Sequence, residues 1–492
     1  MMPLVAAFLI TQQGQRQPQV EPNAIDPGYS TLATSVTTGS VRINGTEVKY
    51  KATAGHYPIR NLDTGEIEAK MFAVTYEKEG ERSGNRPVMY CFNGGPGSAS
   101  LWLHMGGLGP KRAPLPNDDS LPRPPYTPVE NPEAWLDFTD LVFIDAPNTG
   151  YSRVLKSEFR SKFFGVQEDI RAFTEFIRVW IKEHNRFDSP MFVAGESYGG
   201  MRGSGLVKSL LDAGIAVHGF VSISGTNNFL TLDGMRGNDT TYISFLPTFA
   251  ATAWYHKRLG NRFKTVEDVV AASQEFIAKE YAAALSRGDS LSDAEKGRVA
   301  QRLSELTGLS KQYCLDSNLR IPEFRFFREL MRERSQSVGR YDSRFLGKEE
   351  LRVGDSPSAD PSDTAITSPF VTAINSYLLN DLKVKTDMRY NTFGSVGPWR
   401  YPQGEYADTS NDLARTLRQN KHFQVLFTMG YYDMACPFQG TIYTVDHMGL
   451  DADARKRVHY TYYPAGHMMY IEEGSRLKLR NDVKKFVEDC LK

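Results

Sequence analysis

Met191-Phe192-Val193-Ala194-Gly195-Glu196-Ser197-Tyr198-Gly199-Gly200 decides how this chain is read. An apolar run of strand length drives into Gly-x-Ser-x-Gly, and a helix-compatible run, residues 201–211, follows. This is the sequence form of a nucleophile elbow, in which a serine on a strained strand-to-helix turn lifts its hydroxyl above the open edge of a sheet. Glycine is required at Gly195 and Gly199, because a Cβ there would meet the neighbouring strand or helix. The first N–H groups of the following helix have no intrahelical acceptor and are free to stabilise an anion.

Outward from the elbow, strand and helix alternate. Residues 141–144 read as a buried strand before the turn Asp145-Ala146-Pro147-Asn148-Thr149-Gly150. Val166, Ile170, Phe173, Ile177, Trp180 and Ile181 recur at helical spacing, and residues 219–224 form the next strand. Strand, helix, strand, helix, strand predicts a parallel α/β sheet. Upstream, residues 29–78 alternate as antiparallel strands around an Asn44-Gly45 hairpin turn, with a further strand at 69–76. The strand at 87–92 ends in Asn93-Gly94-Gly95-Pro96-Gly97, a loop whose backbone N–H groups can approach a ligand closely. Eight of the 26 prolines fall between Pro110 and Pro132, which forbids helix or central strand and predicts a stiff surface loop.

After Ser224 the character changes. Residues 238–381 are charged and helix-rich, with capping signals at Thr265-x-x-Asp268 and Ser292-x-x-Glu295, and residues 354–369 read as a Ser/Asp/Pro loop. The sheet pattern resumes at 423–429 and 458–463, and Leu477, Val483, Phe486 and Val487 predict a closing helix. The expected organisation is an N-terminal extension or signal remnant (1–28), a first core part (29–237), a helical cap insertion (238–381) and a second core part (382–492).

The 492 residues carry no net charge, so nothing argues for nucleic acid or an acidic membrane surface. The four cysteines, Cys91, Cys314, Cys436 and Cys490, lie far apart without metal-ligand spacing, and neither a metal nor another cofactor is expected. Residues 1–10 are apolar but too short to span a bilayer. Followed by a polar linker they resemble a clipped secretory signal without its basic n-region; a secreted or periplasmic location is the expectation, beside a frayed extension.

A serine hydroxyl becomes nucleophilic when a base takes its proton, and the histidine that does so needs a carboxylate to fix its tautomer. In the α/β-hydrolase arrangement these follow in the order Ser, Asp or Glu, His, each on a loop after a strand. The strand at 423–429 runs into Gly430-Tyr431-Tyr432-Asp433, and that at 458–463 into Pro464-Ala465-Gly466-His467. His459 lies inside a strand pattern and His447 in a helical run. Ser197, Asp433 and His467 are therefore the expected triad, on a central mixed, mostly parallel sheet.

Asn93-Gly94-Gly95-Pro96-Gly97-Ser98, Gly195-Glu196-Ser197-Tyr198-Gly199, Gly430-x-x-Asp433-x-x-Cys436 and Gly466-His467-Met468 together resemble the serine carboxypeptidase family, in a bacterial-type member. Asn131-Pro132-x-x-Trp135, Asp145-x-Pro147 and Gly150-Tyr151-Ser152 are similar to further family signatures. The resemblance implies an α/β-hydrolase fold and release of C-terminal amino acids through an acyl-enzyme. It implies Ser197 as nucleophile, His467 as base and then acid, Asp433 as orienting acid, and Gly95 and Tyr198 as oxyanion-hole donors. Asn93, Gly94 and a protonated Glu196 would hold the substrate carboxylate. Two departures stand out. Gly107 occupies the position of the family's second carboxyl, beside His104 as a conceivable cation, and Ser98 replaces a usual cysteine. The expected partner is a peptide with a free C-terminus, and a homodimer is an assembly the sequence leaves open. An esterase or acyltransferase on the same triad, and a non-catalytic scaffold on the same fold, are the alternatives.

Overall fold

The structure, a computed structural model, describes residues 32–80, 86–115 and 122–492; the expected extension at 1–28 lies outside the described residues. The sheet is laid down by β1 (Ser35–Ile43), β2 (Thr46–Arg60), β3 (Ile67–Lys78), β4 (Val88–Phe92), β5 (Asp140–Ile144), β6 (Met191–Glu196), β7 (Gly219–Ile223), β8 (Gln424–Gly430) and β9 (Val458–Tyr463). Their order is β1-β2-β3-β5-β4-β6-β7-β8-β9, with the short strand Arg153–Val154 also pairing with β3. β1, β2, β3 and β5 pair antiparallel in succession; every pair from β5–β4 to β8–β9 is parallel. The carboxyl ends of β4, β6, β7, β8 and β9 therefore share one edge, where ligands of such sheets bind.

Local chemistry explains the elements. Asn44 and Gly45 both take positive φ, 48° and 79°, and so match the twist of the β1–β2 hairpin. β4 to β7 are buried along their whole length, because helices cover both faces of the parallel part. α1 (Val166–His184) crosses from β5 to β6 and buries Ile170, Phe173, Ile177, Trp180 and Ile181, while Asn185 ends it in the left-handed region. α2 (Gly199–Asp212) crosses from β6 to β7.

Between β7 and β8 the chain builds α3 (Thr240–Tyr255), α4 (Val266–Phe276) and α5 (Asp293–Thr307) around a core of their own, in which Phe249 stacks on Phe326 at 4.0 Å. Both capping boxes form, Thr265 with Asp268 and Ser292 with Glu295. The expected loop at 354–369 is corrected: α6 (Pro361–Asn380) occupies its second half. Asp360 caps it by accepting from Ser362 N, and Pro361 sits in the first turn, where its missing N–H has no intrahelical acceptor to lose. Pro369 then lies on the buried face with Ala365, Ile366, Phe370, Ala373 and Ile374. α7 (Ser410–Gln419), α8 (Phe438–Asp446) and α9 (Glu473–Cys490) complete the layers. In α9 Leu477 is exposed and Leu479 takes the expected core position.

Candidate active site

The register of the sheet assembles the site. Phe92 pairs with Gly195 and Ile223 with Glu196, so Asn93 and Ser197 leave adjacent strands side by side. Ser197 takes φ 64°, a left-handed conformation costly for a residue with a Cβ. Backbone bonds hold it there: Ser197 N donates to Ile223 O at 3.1 Å, and Ser197 O accepts from Gly200 N and Thr226 N. A Cβ at Gly195 would stand 2.3 Å from Gly199 O, so the turn closes only on glycine.

Asp433 and His467 follow β8 and β9 and are buried. Asp433 Oδ1 accepts from Ala435 N at 2.8 Å and Cys436 N at 2.9 Å, and Oδ2 lies 2.8 Å from His467 Nδ1. The carboxylate can only accept, so Nδ1 carries the hydrogen and Nε2 keeps its lone pair. Burial disfavours the imidazolium, but the charge and hydrogen bond of Asp433 outweigh it and hold the His467 pKa above its ordinary value. The Ser197 hydroxyl reaches the thiol of buried Cys436, which desolvation and Asp433 keep protonated.

No motif in the sequence marks the segment that braces both loops. Between β7 and β8, Arg340 O accepts from Met434 N (3.1 Å), Tyr341 O from His467 N (2.6 Å), and Asp342 Oδ2 from Gly466 N (3.1 Å). Ser343 N donates to Tyr432 O, and Arg344 joins Asp342 to Pro464 O. The Tyr341 ring stacks on His467 with centroids 5.5 Å apart.

On the other side of Ser197 stands the Asn93 loop. Buried Arg202 donates to Asn93 O at 2.6 Å, pairs with Asp169 at 2.7 Å, and lies over the rings of Phe92 and Phe173. Gly94 packs so closely on the elbow that a Cβ would fall 2.4 Å from Tyr198 N. Asn93 Oδ1 accepts from Leu103 N, while its buried Nδ2 meets no partner at hydrogen-bond geometry among the described residues. That nitrogen still lies near enough to Glu196 to pull its carboxyl downward.

Glu196 points back into the protein, 3% exposed, and accepts a 2.6 Å hydrogen bond from Tyr470 Oη. Burial pushes its carboxyl up to about 7, against the opposing pull of His467 and Tyr470. His104 supplies no cation: it is buried, shares a 2.7 Å hydrogen bond with Tyr76 Oη and stacks on Phe143, and desolvation lowers its pKa to about 3. The remaining signatures are braces. Asn131 Nδ2 donates to Gly107 O and Gly109 O, both at 2.7 Å, and Asp145 Oδ1 accepts from Ser100 N and Oγ.

A serine on a left-handed elbow, an aspartate-bound histidine and a mixed sheet with their loops at one edge define an α/β-hydrolase. The serine carboxypeptidase family profile matches residues 43–478, and the chain belongs to that family. Its relatives include the lysosomal protective protein of Mus musculus, 24% identical over 408 residues that cover 79% of this chain and 77% of that protein. A pheromone-processing carboxypeptidase KEX1 of Fusarium vanettenii is 29% identical over 33% of this chain, and carboxypeptidase Y of Candida albicans 31% identical over 28%. These two matches span only 24% and 23% of the relatives' own lengths. The solved structure of KEX1(delta)p, a prohormone-processing carboxypeptidase of Saccharomyces cerevisiae, shares the fold, with a TM-score of 0.53 and 16% identity over 89% of this chain and 92% of that one.

Proposed function

We propose that the protein is a serine carboxypeptidase that removes single amino acids from the free C-terminus of peptides. The observation that carries this is Glu196, a buried acid beside the nucleophile with its carboxyl raised to about 7. An ionised carboxylate there would repel an anionic substrate; a protonated one donates a hydrogen bond to it. With Asn93 Nδ2 and Gly94 N–H it receives the terminal carboxylate.

His467 Nε2 takes the Ser197 proton as Oγ adds to the scissile carbonyl. Asp433 holds the tautomer and stabilises the imidazolium. Gly95 and Tyr198 N–H groups meet the developing oxyanion, worth roughly 3–4 kcal/mol per donor in such sites. On collapse the C–N bond breaks, His467 gives its proton to the leaving amine, and the acyl group stays on Ser197 until water, deprotonated by His467, releases the acid.

The proposal extends to the chain as a whole. Residues 29–237 and 382–492 form the hydrolase core and 238–381 the cap; the separate apolar core around Phe249 and Phe326 supports that division. Four unpaired cysteines and Ser98 at a usual cysteine position support a bacterial-type member. A secreted or periplasmic location completes the reading, with a homodimer left open as an assembly. Among the described residues no helix is long and apolar enough to cross a membrane.

Hydrolysis of N-blocked dipeptides, free acid against C-terminal amide, from pH 4 to 8 tests the activity, with Ser197→Ala as control. Selective loss of the free acid, abolished in the variant, is expected. Equal cleavage of both forms, or cleavage of esters alone, moves the assignment to the esterase or acyltransferase alternative. Failure of a fluorophosphonate to label Ser197 moves it to the scaffold.

A further inference from the structure

Every acid between Asn93 and Asp118 is absent from the sequence, so Glu196 has no second carboxyl from that loop to share a proton with. In that place stands a phenol from the far end of the chain. Tyr470 is fully buried and its Oη donates to Glu196 Oε2 at 2.6 Å. The ring lies in a hollow that only a glycine turn provides: a Cβ at Gly106 would fall 2.2 Å from the ring, and one at Gly107 would fall 3.2 Å from Tyr470 Cβ. The turn is itself fixed, since Asn131 Nδ2 bridges the carbonyls of Gly107 and Gly109. On the other side Tyr470 O accepts from Arg476 Nη1, whose guanidinium pairs with Glu133. The glycine turn, Asn131 and Tyr470 thus form one device, with the Tyr470 hydroxyl at its tip on Glu196 and beside the Asn93 side chain.

We infer that Tyr470 is the positioning partner of Glu196, a neutral hydroxyl standing in for the second carboxyl, and that it decides which oxygen of Glu196 presents a proton to the substrate carboxylate. The inference rests on the carboxypeptidase reading of Glu196. With Oε2 occupied as an acceptor, the acid proton is left on Oε1. A carboxyl pair shares one proton and titrates as two coupled groups. A phenol paired with one acid leaves one titrating group in the pair, because the Tyr470 hydroxyl is itself held well above its ordinary range by burial and by Glu196. His467, which pulls the Glu196 carboxyl down, and Asp433, which pushes it up, also face it and are untouched by a change at Tyr470. The hydrogen bond favours the ionised form of Glu196, so its removal must raise the pKa and keep the acid protonated to higher pH.

Tyr470→Phe tests this by two readouts. In the first, KM and kcat for an N-blocked dipeptide acid and its ester are measured from pH 5 to 9. The wild type is expected to lose free-acid binding through one proton. In the variant that limb moves up by about one pH unit, KM for the acid at pH 5 rises about 10-fold as the carboxyl loses its orientation, and kcat and ester hydrolysis stay within twofold. In the second, the infrared carbonyl band of protonated Glu196, assigned with Glu196→Gln, is titrated in the resting enzyme and is expected to persist to higher pH in Tyr470→Phe. Gly106→Ala, which displaces the ring, is expected to reproduce both changes. An unmoved limb and an unmoved band in a variant still labelled at Ser197 would overturn the pairing while leaving the carboxypeptidase reading intact. A wild-type enzyme indifferent to the free carboxylate, with the band still moved by the substitution, would overturn that reading and support the pairing.

Discussion

Asp433→Asn should nearly abolish turnover without unfolding the protein, and the hydrogen bonds around Asp433 say why. Oδ1 accepts from two backbone N–H groups, Ala435 at 2.8 Å and Cys436 at 2.9 Å, and Oδ2 faces His467 Nδ1. An asparagine must keep its oxygen toward the two N–H groups, because turning the NH2 there would set donor against donor twice. Its NH2 then faces Nδ1, which must become the acceptor. The hydrogen moves to Nε2, and the ring can no longer take the Ser197 proton. Inverting a triad tautomer in this way costs about 10⁴ in kcat, or about 5.5 kcal/mol of barrier. The retained Oδ1 bonds keep the loop in place, so the melting temperature should stay within a few degrees. Single-turnover hydrolysis of an activated ester isolates acylation and reads the effect directly. A loss below tenfold, with the fold intact, would refute the argument, since it would mean that Asp433 does not set the His467 tautomer.

Three further predictions follow from the same geometry. Above about pH 7 Glu196 ionises, so KM for free acids should rise about tenfold per pH unit, while kcat climbs as His467, held above its ordinary pKa by Asp433, becomes neutral; Glu196→Gln should flatten the KM profile, and a KM profile from pH 5 to 9 unchanged by that substitution would remove Glu196 from the carboxylate site. Gly94→Ala drives a methyl group to 2.4 Å from Tyr198 N and should lower kcat about 10²- to 10³-fold, the size of losing one oxyanion donor, as read by fluorophosphonate labelling and turnover together. Arg202→Met strands the Asp169 charge, 1% exposed, and should cost about 3–5 kcal/mol in urea unfolding; the double variant with Asp169→Leu should recover part of that loss, and no recovery would show that Arg202 acts through its ring contacts instead.

The parts of the fold that could be read ahead are those in which backbone geometry restricts residue type. Gly195 and Gly94 have no room for a Cβ, Asn44-Gly45 takes two positive φ values, and Ser197 sits where strand must turn to helix. At Gly195 and Asn44-Gly45 the constraint is local and a few residues carry it, whereas Gly94 is confined by Tyr198 from the neighbouring turn. The misread parts depend on what packs from elsewhere. Pro361 lies in the stretch that reads as a Ser/Asp/Pro loop, yet at a first turn a proline begins a helix, and only the burial of Ile366, Phe370 and Ile374 says which applies. His104 as a cation was excluded by Phe143 and Tyr76, residues with no sequence relation to it. The empty place at Gly106-Gly107 was legible, but its occupant, Tyr470, lies more than 360 positions away.

The stretch between β7 and β8 carries the fewest sequence signals, and part of it braces the loops that hold Asp433 and His467. In many enzymes an insertion over the sheet edge moves as a lid, but here residues 340–344 bond to both triad loops. Met434 N and His467 N donate to consecutive carbonyls, of Arg340 and Tyr341, and Gly466 N to the Asp342 carboxylate. Lifting this segment would strip acceptors from the backbones that carry Asp433 and His467 and remove the ring stacked on the imidazole. Each stranded N–H would cost about 1–3 kcal/mol if left buried without water, so residues 340–344 stay with the core. Asp433 and His467 therefore draw their geometry from a stretch with no motif of its own. A graft of these triad loops onto another α/β-hydrolase core without residues 340–344 would carry the right side chains and lack the bonds that aim them.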